Sequence, residues 1–187
     1  MAANRPVLLV MDYQHGIVER ISSPALLGAA DRAVKGAREK NIPVMFVRVG
    51  FRPGYPEISS TNATFSAAAQ HAGDTMHEDN PATQVHEALT PLGSEPVIVK
   101  RRVSAFSGSD LDVLLRGASA DTLVLAGIAT SGVVLSTLRQ AADLDYRLTV
   151  LADACADPDE EVHRVLTERV FPKQAEVTTA EEWVKNL

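Results

Sequence analysis

Short runs of consecutive apolar residues alternate along this chain with longer stretches in which apolar positions recur every three or four residues. Val7-Leu8-Leu9-Val10-Met11 is apolar throughout, the signature of a strand covered on both faces, as in a buried parallel sheet. The segments 43–47, 96–99, 122–126 and 147–151 repeat that pattern, and 175–177 reads as a weak sixth strand. Between the first two, Leu26, Leu27, Ala30, Val34 and Ala37 share one face of a helix predicted over 24–40. Ser23 is its predicted N-cap, and Pro24 suits the first helical position, where a missing N–H costs nothing. Further helices are predicted over 64–70, 110–116 (capped by Ser109 or Asp110), 131–144, 158–170 and 179–187, the last capped by Thr179. Residues 49–63 hold Gly50, Pro53, Gly54, Pro56 and Asn62 and read as a long loop, and 71–82 as polar and irregular.

Strand and helix in near-strict alternation specify an α/β fold, a parallel sheet with helices on both faces and right-handed crossovers. No repeat, low-complexity tract or linker divides the chain, so residues 1–187 are expected to form one domain. Such sheets bind ligands beyond the carboxyl ends of their strands. Asp12 follows the first strand, Lys100 the third, and the turn from Gly127 to Val134 the fourth. These three, distant in sequence, are therefore expected at one rim.

A length of 187 residues with 45% hydrophobic positions supports a sizeable core and argues against disorder. The net charge of −6 speaks against a nucleic-acid partner. No apolar run reaches the roughly 18–20 residues of a membrane span. Met1-Ala2-Ala3-Asn4-Arg5-Pro6 leads directly into a strand, so no signal peptide is expected, and the single cysteine fits a reducing cytoplasm. Five scattered histidines form no H-x-x-x-H pair and no zinc-type cluster, so no metal is expected.

Three motifs carry a further signal. Asp12-Tyr13-Gln14 matches D-x-Q, and Lys100 with the segment from Ser104 to Leu111 matches K-x-x-x-S-A-F-x-G-[ST]-x-L. Gly127-Ile128-Ala129-Thr130 through Ser136-Thr137 matches G-[IV]-x-T-x-x-C-V-x-x-T, with Val133 where that pattern carries cysteine. Together, and in this order, they resemble the isochorismatase-like (cysteine hydrolase) superfamily, which includes isochorismatases, nicotinamidases and N-carbamoylsarcosine amidohydrolases. The resemblance covers nearly the whole chain. It implies a three-layer α/β/α sandwich, Rossmann-like, with a six-stranded parallel sheet, a small-molecule substrate, no cofactor, and a homodimer or larger homo-oligomer. It also implies Asp12 as acid/base, Lys100 as electrostatic partner, a cis peptide at Ile128–Ala129, and oxyanion donors among the amides near Ala129 and Val133.

Valine has no nucleophilic atom, so covalent thioester chemistry at position 133 is excluded. Family members acting on the isochorismate vinyl ether also lack the cysteine; there the aspartate is held to protonate the enol-ether carbon before water adds. The expected activity is hydrolysis of a small metabolite without a covalent cysteine intermediate, and the alternative is an inactive, metabolite-binding pseudoenzyme. The sole cysteine, Cys155, is placed in a turn after the fifth strand and read as a buried packing residue. Ser131 is read as a helix cap and Ser136 as packed one turn inside. Gln14 either holds the Asp12 loop or is a surface amide, and His15 either reaches the site or is solvated. Phe51, Arg52, Tyr55 and Phe65 line the pocket or pack against a second subunit, and Phe106 walls the pocket. Ile128, Ala129 and Thr130 complete the expected binding set. The acidic run from Asp157 to Glu161 is read as a helix start.

Overall fold

The computed structural model describes residues 4–21 and 23–187. Residues 1–3, on which the expected lead-in to the first strand partly rests, lie outside that range. Six strands form one parallel sheet: β1 (Pro6–Met11), β2 (Val44–Val49), β3 (Val97–Lys100), β4 (Thr122–Ile128), β5 (Arg147–Ala156) and β6 (Glu176–Thr178). Their order is β3-β2-β1-β4-β5-β6. The chain therefore winds outward from β1 in one direction, then returns to the other side at β4. The crevice between β1 and β4 is the switch point at which ligands bind in sheets of this kind.

Alternation along each strand divides the core in two. Val7, Leu9 and Met11 of β1, with Met45 and Val47 of β2, pack on one face against Leu111 and Leu115 of α4 (Leu111–Gly117) and Leu138 and Ala141 of α5 (Leu135–Asp143). Leu8, Val10, Val44 and Phe46 point to the other face. There they meet Val18 of α1 (His15–Ile21), the apolar stripe of α2 (Pro24–Glu39) and Trp183 of α7 (Ala180–Lys185). Helix α3 (Ala63–Ala72) and α6 (Glu160–Val165) complete the set. The architecture is the three-layer sandwich expected. Among the described residues, no helix is long and apolar enough to cross a membrane.

Several boundaries differ from the sequence reading, for local reasons. Helix α1 was not foreseen, because its seven residues are too few to display a period. Strand β5 runs on to Ala156, so Cys155 lies inside a strand, opposite Gly127 of β4, and not in a turn. The polar Asp153 in that extension hides its strand character, yet its carboxylate accepts the Ala180 amide at 2.7 Å. The helix after β4 opens with a widened turn of π type, Thr130–Val134, before α5. Such turns concentrate at functional sites. Ser23, Asn62 and Thr179 cap their helices through side-chain oxygens, whereas Asp110 makes no capping bond; Ser109 Oγ accepts the Leu111 amide instead, at 3.3 Å.

Gly127 sits where β1, β4 and the widened turn converge. A Cβ there would lie 3.0 Å from the Met11 carbonyl oxygen and 3.1 Å from both Met11 Cβ and Val134 Cγ2. Backbone cannot yield cheaply in mid-sheet, so Gly127→Ala is expected to destabilise the fold by about 1–3 kcal/mol through overpacking. Urea denaturation of the variant checks this; an unchanged midpoint would show that the crevice is looser than the contacts imply.

Candidate active site

The carboxyl ends of β1, β3 and β4 bring together the residues that the motifs single out. Lys100, the last residue of β3, reaches across the end of β2 to Asp12, the residue after β1. Its Nζ lies 3.0 Å from Asp12 Oδ2 and donates to the Arg102 carbonyl at 2.9 Å. Both side chains are buried, Asp12 at 5% exposure and Lys100 at 2%. The other carboxylate oxygen, Asp12 Oδ1, is buried and accepts no hydrogen bond. A buried oxygen of this kind calls for a partner, and a substrate or water group is the partner an active site supplies.

Burial pushes the Asp12 carboxyl above the ordinary carboxylate range. The Lys100 ammonium pulls it down, by charge and by hydrogen bond, without cancelling the rise. Of the two influences that the sequence sets in conflict, burial is the larger. Asp12 also takes a left-handed backbone, with φ of 60°. For a residue other than glycine this conformation is strained and persists where surrounding contacts over-determine it.

Those contacts are visible. The Asp12 amide donates to the Val47 carbonyl at 2.7 Å. Tyr13, fully buried, donates its hydroxyl to the Ala154 carbonyl at 2.5 Å, tying β1 to β5. Gln14 is also buried: its amide nitrogen donates to the Val49 and Thr83 carbonyls at 2.8 and 2.9 Å, and its oxygen accepts the Val49 amide at 2.8 Å. Of the two readings left open for Gln14, the structure supports the loop-holding one. Its hydrogen-bonding groups are spent on backbone.

The peptide between Ile128 and Ala129 is cis. Beyond it, the Gly132 and Val134 amides turn back to the Ala129 carbonyl at 3.1 and 3.3 Å. The Ser131 amide donates to Asp157 Oδ2 at 2.7 Å. Ser131 is exposed and does not cap the helix; Asp157 does, from across the rim. This corrects the cap reading of Ser131 and splits the acidic run, since Asp159 alone caps α6, accepting the Glu161 and Val162 amides. Thr130 is wholly buried, its hydroxyl 2.8 Å from His163 Nδ1. His163 and Asp157 escaped sequence reasoning because no motif joins them to the turn; only the fold makes them neighbours. Val133 is buried in the core with Met11 and Cys155.

Other expected residues land elsewhere. Phe51 is fully buried, its ring 5.3 Å from Phe65 and 6.0 Å from Tyr55, and the Tyr55 hydroxyl donates to the Gly73 carbonyl at 2.7 Å. The three aromatics pack the long loop against α3. Arg52 is exposed and pairs with Glu57 at 2.6 Å. Phe106 packs within the core, 6.3 Å from Tyr146, which precedes β5 at the end of the sheet opposite the site. It is a core residue and not a pocket wall. The segment around it is anchored to α5, where Thr137 accepts the Ala105 amide at 2.9 Å and Gln140 takes the Ser104 hydroxyl at 2.7 Å. The Cys155 thiol is pushed up to about 12 by burial, which keeps it neutral at ordinary pH and a poor nucleophile. Its Sγ lies 3.9 Å from the Leu125 carbonyl.

The rim thus holds a buried carboxyl whose pKa is raised, the Lys100 amine 3.0 Å from it, and a helix mouth preceded by a cis peptide. Comparison with known proteins identifies relatives of this chain. Residues 6–182 match the isochorismatase domain. The isochorismatase family protein YecD of Escherichia coli O157:H7 is 32% identical over 99% of this chain and 97% of its own. Maleamate amidohydrolase of Pseudomonas putida is 25% identical over 98% of this chain and 87% of its own. Among solved structures, a cysteine hydrolase of Pseudomonas syringae pv. phaseolicola superposes with a TM-score of 0.88 at 23% identity, over 97% of this chain and 91% of that one, a likeness of fold.

Proposed function

This chain belongs to the isochorismatase family of hydrolases, and within it we propose a hydrolase that works without a covalent cysteine intermediate, using Asp12 as general acid/base. The observation that carries this reading is the Asp12 carboxyl: buried, raised above its usual range, paired through one oxygen with Lys100, and unpartnered at the other.

Vinyl-ether chemistry suits that state best. A protonated Asp12 transfers its proton to the terminal carbon of the enol ether, and the electron pair of the C=C bond forms the new C–H bond. The oxocarbenium ion left behind takes up water at its cationic carbon, and Asp12, now a carboxylate, receives the proton that the water releases. The resulting hemiketal then breaks its C–O bond: Asp12 gives its proton to the leaving alcohol oxygen, the hemiketal hydroxyl becomes the ketone carbonyl, and the proton that hydroxyl releases returns to Asp12. Lys100 holds Asp12 in place and stabilises the carboxylate formed after proton transfer. The amides of Ala129 and Val133, at the mouth of the widened turn, are the donors to a substrate carboxylate in this reading, because those of Ser131, Gly132 and Val134 have other acceptors.

The test is a panel of small carboxylate-bearing vinyl ethers and amides assayed for product. Turnover of a vinyl ether supports the reading. Because the acid form of Asp12 does the work, kcat is expected to be level at low pH and to fall as pH rises through the raised Asp12 pKa. A profile that instead climbs with pH would make Asp12 a base or a bystander. A second reading, a metabolite-binding pseudoenzyme, draws on the aliphatic Val133 and the near-complete enclosure of Asp12 and Lys100. Ligands that raise the melting temperature and stay chemically intact on long incubation favour it.

A further inference from the structure

We propose that His15, His86 and Glu87 bind a divalent cation of the zinc type at the surface beside the Asp12 loop. The sequence scatters its histidines, but the fold zips two of them together. Gln14 faces Val85 in an isolated antiparallel bridge. The His15 amide donates to the Gln84 carbonyl at 3.1 Å, and the His86 amide to the Tyr13 carbonyl at 2.8 Å. Both backbones are thus pinned on either side of the bridge.

The rings lie with centroids 5.1 Å apart. Glu87 Oε2 is 3.3 Å from His15 Nδ1 and 3.8 Å from His86 Nδ1. One donor atom from each residue falls within 4.8 Å of the other two. A tetrahedral ion with bonds of about 2.0–2.2 Å needs ligand atoms on the order of 3.3–3.5 Å apart. Contraction of the widest separation by up to about 1.5 Å therefore closes the set. Glu87 already lies near that spacing from both rings, so the movement falls to an imidazole, and the His15 side chain, 35% exposed, has room to rotate toward His86. His86 Nδ1 also accepts the Ala88 amide at 3.2 Å, so His86 binds either through Nε2 or by releasing that long bond.

Two imidazoles and a carboxylate suit zinc, cobalt, nickel or copper and discriminate against magnesium, which prefers an all-oxygen shell. The ion would clamp the 84–89 segment onto the residues that hold Asp12, so its expected effect is on stability. The inference stands on these side chains alone and does not depend on the reaction assigned above.

The experiment uses untagged full-length protein treated with EDTA and then titrated with Zn²⁺ by calorimetry. The visible spectrum of the Co²⁺-loaded protein reports nitrogen ligation, and Mg²⁺ serves as the comparison ion. Saturable binding of one equivalent of Zn²⁺ is expected, with a raised melting temperature. His15→Gln and His86→Gln are each expected to weaken binding at least tenfold, and His71→Gln, on α3, to leave it unchanged. Should a histidine variant fold poorly, Glu87→Gln, an exposed change, is expected to weaken binding several-fold. No saturable binding, or affinity that survives loss of both His15 and His86, would overturn the proposal.

Discussion

Asp12→Asn is expected to lower kcat by about 10²–10⁴-fold on a substrate that the wild type turns over, the range that a positioned general acid contributes. KM should move far less, because the asparagine keeps the shape of the side chain and an oxygen that can accept from Lys100 Nζ. What is lost is the transferable proton. Above the Asp12 pKa, where the carboxylate is the counter-charge of Lys100, the substitution also breaks a buried pair, at a cost of about 3–5 kcal/mol. The rate must therefore be read well below the variant's own melting temperature, with near-UV circular dichroism confirming a packed core. The descending alkaline limb attributed to Asp12 should disappear from the residual activity. Turnover within tenfold of wild type, with the same pH profile, would remove Asp12 from the chemistry.

The site was legible where chemistry and topology coincide, at strand ends. Asp12, Lys100 and the Gly127 turn each end an apolar run, and parallel topology sends all such ends to one rim. Two things escaped. Polar residues inside strands misplace boundaries: Asp153 conceals the last half of β5, and Cys155 was assigned to a turn as a result. Contacts between segments distant in sequence have no period at all, so the Thr130–His163 and Ser131–Asp157 bonds, like the meeting of His15 with His86, become visible only in three dimensions. The aromatic loop shows the opposite error. Phe51 and Tyr55 look like pocket lining because aromatic residues in long loops often bind, yet here they are the small core that holds the loop together.

The helix mouth departs from what a thiolate site would need. In a cysteine hydrolase the positive end of the helix lowers the thiol pKa. Here position 133 is buried valine, and Asp157, an anion, takes one of the first amides of the turn. A carboxylate at that point offsets part of the helix field that a nucleophilic thiolate would use. Water-based chemistry led by a protonated acid has less need of it, so Val133 and Asp157 are mutually consistent.

Lys100→Met separates the electrostatic role of this lysine from its role in packing. With Asp12 kept, the variant is expected to lose about 3–5 kcal/mol of stability at neutral pH, because the unpartnered Asp12 carboxyl must either stay charged in the interior or hold a proton that the unfolded chain gives up. The loss should depend on pH in a defined direction. Removing the ammonium takes away the influence that lowers the Asp12 pKa, so the folded-state value rises further above the unfolded one, ordinarily about 3.9. Below that unfolded value Asp12 is protonated in both states, and the variant should be only modestly weakened. As pH climbs from there toward the folded pKa, the unfolded chain releases a proton that the folded one retains, and stability falls. Adding Asp12→Asn to Lys100→Met removes both charges, so the double variant should be more stable at neutral pH than Lys100→Met alone, and the two changes should be strongly non-additive. Urea titrations of the four proteins at two pH values measure this cycle. A pH-independent loss with additive single effects would mean that the pair observed at 3.0 Å contributes through side-chain volume and not through charge.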